Sequence, residues 1–261
     1  MRIELWRSEF EAGNRHVFVS PRLWGAYAAS DAITLRLAFQ SGHRGPTINE
    51  LYRPFRVGSI VTEANPFLGP ESSHGLEAGA SWHSGRLTVR ALGFWSRVDD
   101  AIVNVTVSAD GPVIVRQRRN AARIRAAGTE VEAEVGLLRG TALTGSTSFT
   151  DSSFVAGPLD GLRVPQVPRW HHAIGGRATL GSLRLSGEWR YIGRQFDDDR
   201  NVFPLDRSST IDGRAGWMVR TGAELYAAVE NLLDAEQDVG RTPLRTLGLP
   251  RTGRVGVRLI F

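Results

Sequence analysis

The sequence predicts an all-β protein, an antiparallel up-and-down meander of about a dozen strands. Three observations carry that expectation. Apolar and polar residues alternate with a period of two in many separate segments, the mark of strands with two unlike faces. No stretch of comparable length keeps a helical period. The segments are joined by connections of two sizes, some short and some long.

The segments follow in chain order. Arg2-Ile3-Glu4-Leu5-Trp6-Arg7 alternates like a strand already under way and lacks the apolar core of a signal peptide. After Ala32, Ile33, Leu35, Leu37 and Phe39 lie on one side, with Thr34, Arg36, Ala38 and Gln40 on the other. Leu87 to Trp95 repeats the pattern more loosely. Val131, Ala133, Val135 and Leu137 then oppose Glu130, Glu132, Glu134 and Gly136. Leu143 to Phe149 leads on to a segment that sets Leu183, Leu185, Gly187, Trp189 and Tyr191 against Arg184, Ser186, Glu188 and Arg190. Ile211 to Trp217 and Glu224 to Val229 continue it. Ala223 to Leu233 has the length for three helical turns, but Gly222 before it and the Asn231-Leu232 ending suit a strand that runs into a turn. In the last segment Val255, Val257, Leu259 and Phe261 face one way, and Arg254, Gly256, Arg258 and Ile260 the other.

Short connections fall at Ser81 to Arg86, Gly181-Ser182 and Arg220 to Gly222. Long ones fall at Gly42 to Pro70, Asp151 to Pro168, Phe196 to Arg207 and Ala235 to Arg251. Membrane barrels show this inequality, with tight turns at one rim and extended loops at the other. A soluble sandwich more often has connections of similar length.

Composition narrows the classes. The 261 residues are 41% hydrophobic and 23% charged, with a mean hydropathy of −0.19 and no apolar run long enough for a membrane helix. A β-barrel remains open, because alternating strands average to a soluble hydropathy. There is no cysteine, which excludes disulfides and thiolate chemistry. The net charge is +5 and all 32 basic residues are arginine. They are spread along the chain, with only Arg116, Arg118 and Arg119 crowded together, so a nucleic-acid partner is not expected.

Periodicity leaves two architectures open. In a soluble or secreted β-sandwich binding module the apolar stripes pack on each other and the charged face meets water. In a barrel the apolar stripe meets lipid and the charged face lines a wet lumen. Trp95, Phe149, Trp189, Tyr191, Trp217 and Tyr226 suit an interfacial girdle or a packed core equally.

Particular stretches add a resemblance. Ser41-Gly42-His43-Arg44-Gly45-Pro46-Thr47-Ile48-Asn49-Glu50-Leu51-Tyr52 resembles the segment that follows a mid-barrel strand in TonB-dependent outer-membrane receptors. Asn65-Pro66-Phe67-Leu68-Gly69-Pro70-Glu71, running into Gly75-Leu76-Glu77-Ala78-Gly79, resembles that family's entry to the next strand. Val229 to Asp234 with the closing strand to Phe261 resembles its last strands, and Asn120 to Glu132 is a weaker match. Another outer-membrane barrel, a porin or autotransporter, shares the terminal aromatic but does not predict the Asn49-Glu50-Leu51-Tyr52 and Asn231-Leu232-Leu233 stretches.

The resemblance covers residues 1–261 as a partial receptor barrel, the C-terminal half of a roughly 22-stranded transmembrane β-barrel, without its plug domain and N-terminal strands. It implies a protein of the Gram-negative cell outer membrane. There it would contribute to active uptake of a scarce ligand, such as a siderophore–iron complex or cobalamin. The partners implied are outer-membrane lipid, the missing plug and N-terminal barrel half, the TonB complex through that absent part, the outer-membrane assembly machinery, and a small-molecule ligand such as a metal chelate. A half barrel leaves two open edges whose backbone groups find no partner in hydrocarbon, so the chain alone is expected to be incomplete.

Within that frame Arg44, Glu50, Tyr52, Arg53, Phe55 and Arg56 are the candidates for contact with ligand or plug, the alternative being a solvated outer loop. Val255, Val257, Leu259 and Phe261 form the candidate assembly signal. No cofactor is implied. His171 and His172 are adjacent on a strand and so point to opposite faces, which suits no shared metal ion. Asp197-Asp198-Asp199 offers clustered oxygens of the kind calcium takes, or a plain solvated loop. Neither a Gly-x-Ser-x-Gly turn nor a phosphate-binding loop is present, and no enzyme is expected.

Overall fold

The computed structural model describes residues 2–12, 14–138 and 140–259, with side chains from residue 17 onward. Twelve antiparallel strands form one wall, each paired with its neighbours along the meander: β1 (Arg2–Ala12), β2 (Asn14–Ala28), β3 (Ile33–Arg44), β6 (Glu71–Ser84), β7 (Leu87–Ser108), β8 (Ile114–Leu138), β9 (Thr141–Ala156), β10 (Trp170–Leu180), β11 (Leu183–Ile192), β14 (Ser208–Arg220), β15 (Ala223–Glu230) and β18 (Thr252–Leu259). Among the described residues β1 and β18 are the two edges, and the wall is not closed. The remaining elements are short and sit in the connections. They are α1 (Ile48–Tyr52), β4 (Phe55–Val57), β5 (Ile60–Glu63), β12 (Gln195–Phe196), β13 (Pro204–Leu205), β16 (Asp238–Gly240) and β17 (Thr246–Leu247).

Connections alternate by rim. At one rim the strands turn at residues 29–32, 85–86, 140, 181–182 and 221–222. At the other they are joined by 45–70, 109–113, 157–169, 193–207 and 231–251. Gly85, Gly140, Gly181 and Gly222 all have positive φ, the backbone a tight hairpin turn demands and a Cβ resists. The segment from Ala223 is strand β15, and it ends where Asn231 takes a φ of 50°.

Register separates the two faces. Phe39 lies opposite Leu76, and Leu76 opposite Trp95. Leu183, Trp217, Leu225 and Val257 form one continuous row across four strands. These outward residues are not covered: Leu37 is 58% exposed, Trp217 56% and Val255 85%. A sandwich requires this stripe to be its core, so the exposed stripe decides against that alternative. On β11 the stripe from Leu183 to Tyr191 is about 26 Å long at ~3.3 Å per residue. A strand tilt of ~40° brings that to about 20 Å across a bilayer, near the ~25 Å apolar band of outer-membrane barrels.

Aromatic rings gather on this outward face near the long-loop rim. Phe149, Trp170, His172, Tyr191 and Trp189 succeed one another with centroid separations of 4.9, 5.6, 5.4 and 6.3 Å. Tyr226 is not among them. Its row, Arg184–Gly216–Tyr226–Gly256, lies on the charged face.

That inner face is a lattice of ion pairs. Arg90 meets Glu132 at 3.7 Å, Arg177 meets Glu134 at 2.6 Å, and Arg190 bridges Glu188 and Asp212. Arg254 pairs with Glu230, and Arg214 grips Glu224 through two hydrogen bonds of 3.1 and 2.8 Å. The solvated pairs among these contribute at most ~1 kcal/mol each, whereas the Glu224 carboxylate is buried beneath Arg214. Buried apolar residues collect instead at the long-loop rim, where Phe154, Ala122 and Leu159 form a cluster with Val103, Ile124, Leu162 and Val164 around it.

Candidate functional site

The long-loop rim carries most of the residues singled out from the sequence. Its first loop, residues 45–70, starts with α1. Thr47 and Glu50 close that helix with a reciprocal capping box: the Glu50 carboxylate accepts from the Thr47 backbone at 2.7 Å, and the Glu50 N–H donates to the Thr47 hydroxyl at 3.3 Å. Arg44, at the end of β3, donates to Glu50 at 2.9 Å and to Glu71 at 2.8 Å, and the other Glu71 oxygen accepts from the Ile102 backbone at 3.0 Å. Burial acts to raise the Glu50 carboxyl, but the hydrogen bonds from Arg44 and Thr47 outweigh it and hold it below the usual carboxylate range.

The loop then crosses to the β7–β8 hairpin, whose strands run on well past the wall. β4 pairs with β5, and β5 adds in parallel to the outer part of β8, Ile60 opposite Ile114 and Glu63 opposite Gln117. Arg118 is the anchor there. Its guanidinium donates to the carbonyls of Asn49 and Arg53 at 2.6 and 3.2 Å and stands 5.1 Å from the centre of the Phe55 ring, while its own carbonyl accepts from Asn65. Asn120 fastens Gly69 through both its amide groups.

Of the six candidates, Arg44 and Glu50 are brought together directly, and Arg53 and Phe55 share Arg118. Arg56 turns onto the Gly58 carbonyl at 2.9 Å, apart from both groups. Tyr52 stays exposed at the end of α1. Glu71, Arg118 and Asn120 were not singled out, because their roles depend on chain segments that only the fold brings near.

Asp197, Asp198 and Asp199 tie the other loops together. Asp197 accepts from the backbone of Arg241 and Thr242, from the Thr242 hydroxyl and from the Gln166 side chain. Asp198 accepts from the N–H groups of Arg200, Val202 and Phe203, and Asp199 takes the backbone and hydroxyl of Thr106. Asn201 adds two hydrogen bonds to the Arg163 backbone. Asp198 and Asp199 are buried. The triplet is therefore neither a plain solvated run nor a set of open oxygens, and its carboxylates are occupied by protein donors from four segments. Burial pushes the Asp197 carboxyl up, yet the donors from Thr242, Arg241 and Gln166 hold it below the ordinary range.

Of the four candidates for an assembly signal, Val255, Val257 and Leu259 lie exposed in one outward stripe on edge strand β18, while Phe261 lies outside the described residues.

Residues 6–232 match the family model for the TonB-dependent receptor-like β-barrel. The chain belongs to the TonB-dependent receptor β-barrel family. The match decides against a porin or autotransporter barrel. No curated protein sequence matches the chain. Solved structures do. The ferric yersiniabactin uptake receptor FyuA from Yersinia pestis superposes with a TM-score of 0.76 at 19% identity, over 95% of this chain and 38% of its own. The copper transporter OprC gives 0.78 at 19% identity over 95% and 40%, and the ferric citrate transporter FecA 0.74 at 16% over 94% and 38%. At these identities the likeness is one of fold. The receptor-barrel chain spans about two fifths of the length of the structures it matches. Within the receptor-barrel fold the charged face of the wall is the lumen side and the exposed apolar stripe the lipid side.

Proposed function

We propose that this chain is part of the wall of an outer-membrane receptor for TonB-driven uptake of a scarce metal chelate or similar small ligand in a Gram-negative cell. The observation that supports the reading best is the two-faced wall: an uncovered apolar stripe outside and an ion-paired face inside, on strands of membrane-spanning length. On this reading the long-loop rim faces outward and the short turns face the periplasm. The free backbone edges of β1 and β18 require further strands, because unpaired groups in hydrocarbon cost several kcal/mol each. A plug domain and the TonB contact would come from that remaining part, and the assembly machinery would read the β18 stripe.

Arg44, Glu50, Tyr52, Arg53, Phe55 and Arg56 remain the proposed contacts with ligand or plug. Tyr52 and Phe55 support this best, since both present large exposed rings, whereas Arg44 and Glu50 are already engaged in holding α1.

The test is expression of the chain with a cleavable export signal in a Gram-negative host. Recovery with the outer membrane is expected, with no TonB-dependent uptake of a radiolabelled ferric chelate unless flanking strands and a plug are co-expressed. Recovery as a soluble monomer would refute the wall, and specific uptake by the chain alone would refute its incompleteness.

A further inference from the structure

Arginine keeps to the inner face along most of the wall. Arg36 lies opposite Gly79, Arg184 opposite Gly216 and Arg258 opposite Glu224, all on the charged side. Among the described side chains, every arginine of β2, β3, β10, β11 and β18 has that parity. At their long-loop end β7 and β8 depart from it. Arg97 lies two residues beyond outward Trp95 and directly opposite Arg125, and Arg123 lies two residues beyond Arg125. These three arginines continue the outward stripe, not the inner face.

Their depth follows from the rings beside them. Trp95, Phe149 and Trp170 stand at the outer end of the apolar stripe, and aromatic side chains of this kind settle at the head-group boundary. Two strand residues at ~3.3 Å each, tilted by ~40°, place Arg97 and Arg125 about 5 Å farther out. An arginine at that height meets lipid head groups and not their tails.

Charge at this height is unbalanced. Cross-strand partners hold their Cβ atoms ~5 Å apart, where like charges repel. Asp99 answers two of the three arginines, accepting from Nε and Nη2 of Arg97 at 2.8 Å each and from Nε of Arg123 at 2.6 Å. Arg125 is exposed, and among the described residues no carboxylate lies within ion-pair distance of it. Asp151, on the next strand, is taken by Arg169. Nη1 of Arg97 and both terminal nitrogens of Arg123 keep donors that no described residue accepts.

We propose that Arg97, Arg123 and Arg125 bind the phosphate of an outer-leaflet lipid head group. The inference rests on reading the uncovered stripe as the lipid side and the long-loop rim as the outer one. Arginine forks match phosphate oxygens in geometry as well as charge, and Asp99 holds two of the forks in place before a lipid arrives. A lipid-borne phosphate fits better than a free one, because Leu76, Trp95 and Ala127 continue the stripe directly below, where acyl chains lie.

The test titrates phosphatidic acid with a fluorescent acyl chain into the full chain extracted from outer membranes into detergent. The R97Q/R125Q pair is expected to weaken binding at least fivefold at low salt. The R22Q/R36Q pair, which removes the same charge from the inner face, leaves it unchanged. Arg125→Lys keeps the charge but loses the fork, and it is expected to weaken binding at least twofold; it decides the matter where the double variant fails to fold. Equal binding of the matching diacylglycerol would overturn the site by showing that the phosphate plays no part. Displacement by inorganic phosphate at the same concentration as by unlabelled phosphatidic acid would overturn it in favour of a small-anion site. Equal loss in the inner-face pair would overturn it as an effect of net charge alone. None of these results alters recovery of the chain with the outer membrane, so failure here is separable from failure of the wall reading.

Discussion

The Asp197 carboxylate accepts both the backbone N–H and the hydroxyl of Thr242, at 2.7 and 2.6 Å, across 45 residues of chain. This contact joins the loop after β11 to the loop after β15. With Gln166 on Asp197 and Thr106 on Asp199, it makes one interlocked roof of segments that leave the wall at different strands.

Replacing Asp197 with Asn is expected to loosen that roof by about 1–3 kcal/mol, the usual cost of orphaning charge-assisted donors. Hydrogen exchange at Arg241 and Thr242 should rise and carry residues near Gln166 with it. A change confined to residues 195–199 would show that the loops are independent.

The same group sets a pH response. Its folded carboxyl titrates below its unfolded value of about 3.9, so its contribution is complete above that value and is lost as pH falls through the lower folded one. Exchange at Thr242, corrected for intrinsic rate, should be flat from about pH 7 to 5 and rise only below about pH 4.

Glu50 serves both the capping box and Arg44. Glu50→Ala should cost about 1 kcal/mol or somewhat more and unprotect the amides of Thr47, Glu50 and Leu51. Thr47→Ala removes only the hydroxyl part and should cost less. Thermal melts of the two variants compare them directly.

Gly216→Ala and Gly256→Ala force a Cβ against Glu224 and Tyr226, and each should destabilise the wall by about 1–3 kcal/mol. Gly145→Ala is the control, because nothing lies within 4 Å of its added carbon. Urea midpoints in detergent should fall for the first two and hold for the third.

Leu143 and Thr144 are chain neighbours on opposite faces near mid-wall, opposite Gly176 and Gly175. Leu143→Arg places a charge on the lipid side and should cost about 2–4 kcal/mol in a bilayer. Thr144→Arg places it beside Glu134 and Glu188 and should cost little.

Most of the wall was legible because a period of two survives every local irregularity. Leu35, Leu37 and Phe39 needed no neighbour to reveal their side. Tyr226 shows where a residue-type argument misleads: an aromatic near a strand end suggested the girdle, but its parity with Glu224 already placed it inward. The long-loop rim was far less legible. α1, β4 and β5 are too short to carry a period, and they exist because Arg44, Arg118 and Asn120 hold them. The β7–β8 hairpin exceeds the ~10 residues expected of a membrane strand, because its outer part is paired and packed by loops rather than by lipid. The Asp197–Asp199 run looked like calcium oxygens or solvated charge, since Thr242 and Thr106 are distant partners that no spacing rule connects to it.

The absence of cysteine makes one measurement especially clean. Single cysteines at each position from 183 to 191 can be spin-labelled in the bilayer-embedded chain and probed with oxygen, which partitions into lipid, and with a water-soluble nickel chelate. The wall reading predicts strict alternation: oxygen reaches 183, 185, 187, 189 and 191, and the nickel chelate reaches 184, 186, 188 and 190. Labels at the odd positions shielded from both reagents, as in the core between two packed sheets, would contradict it.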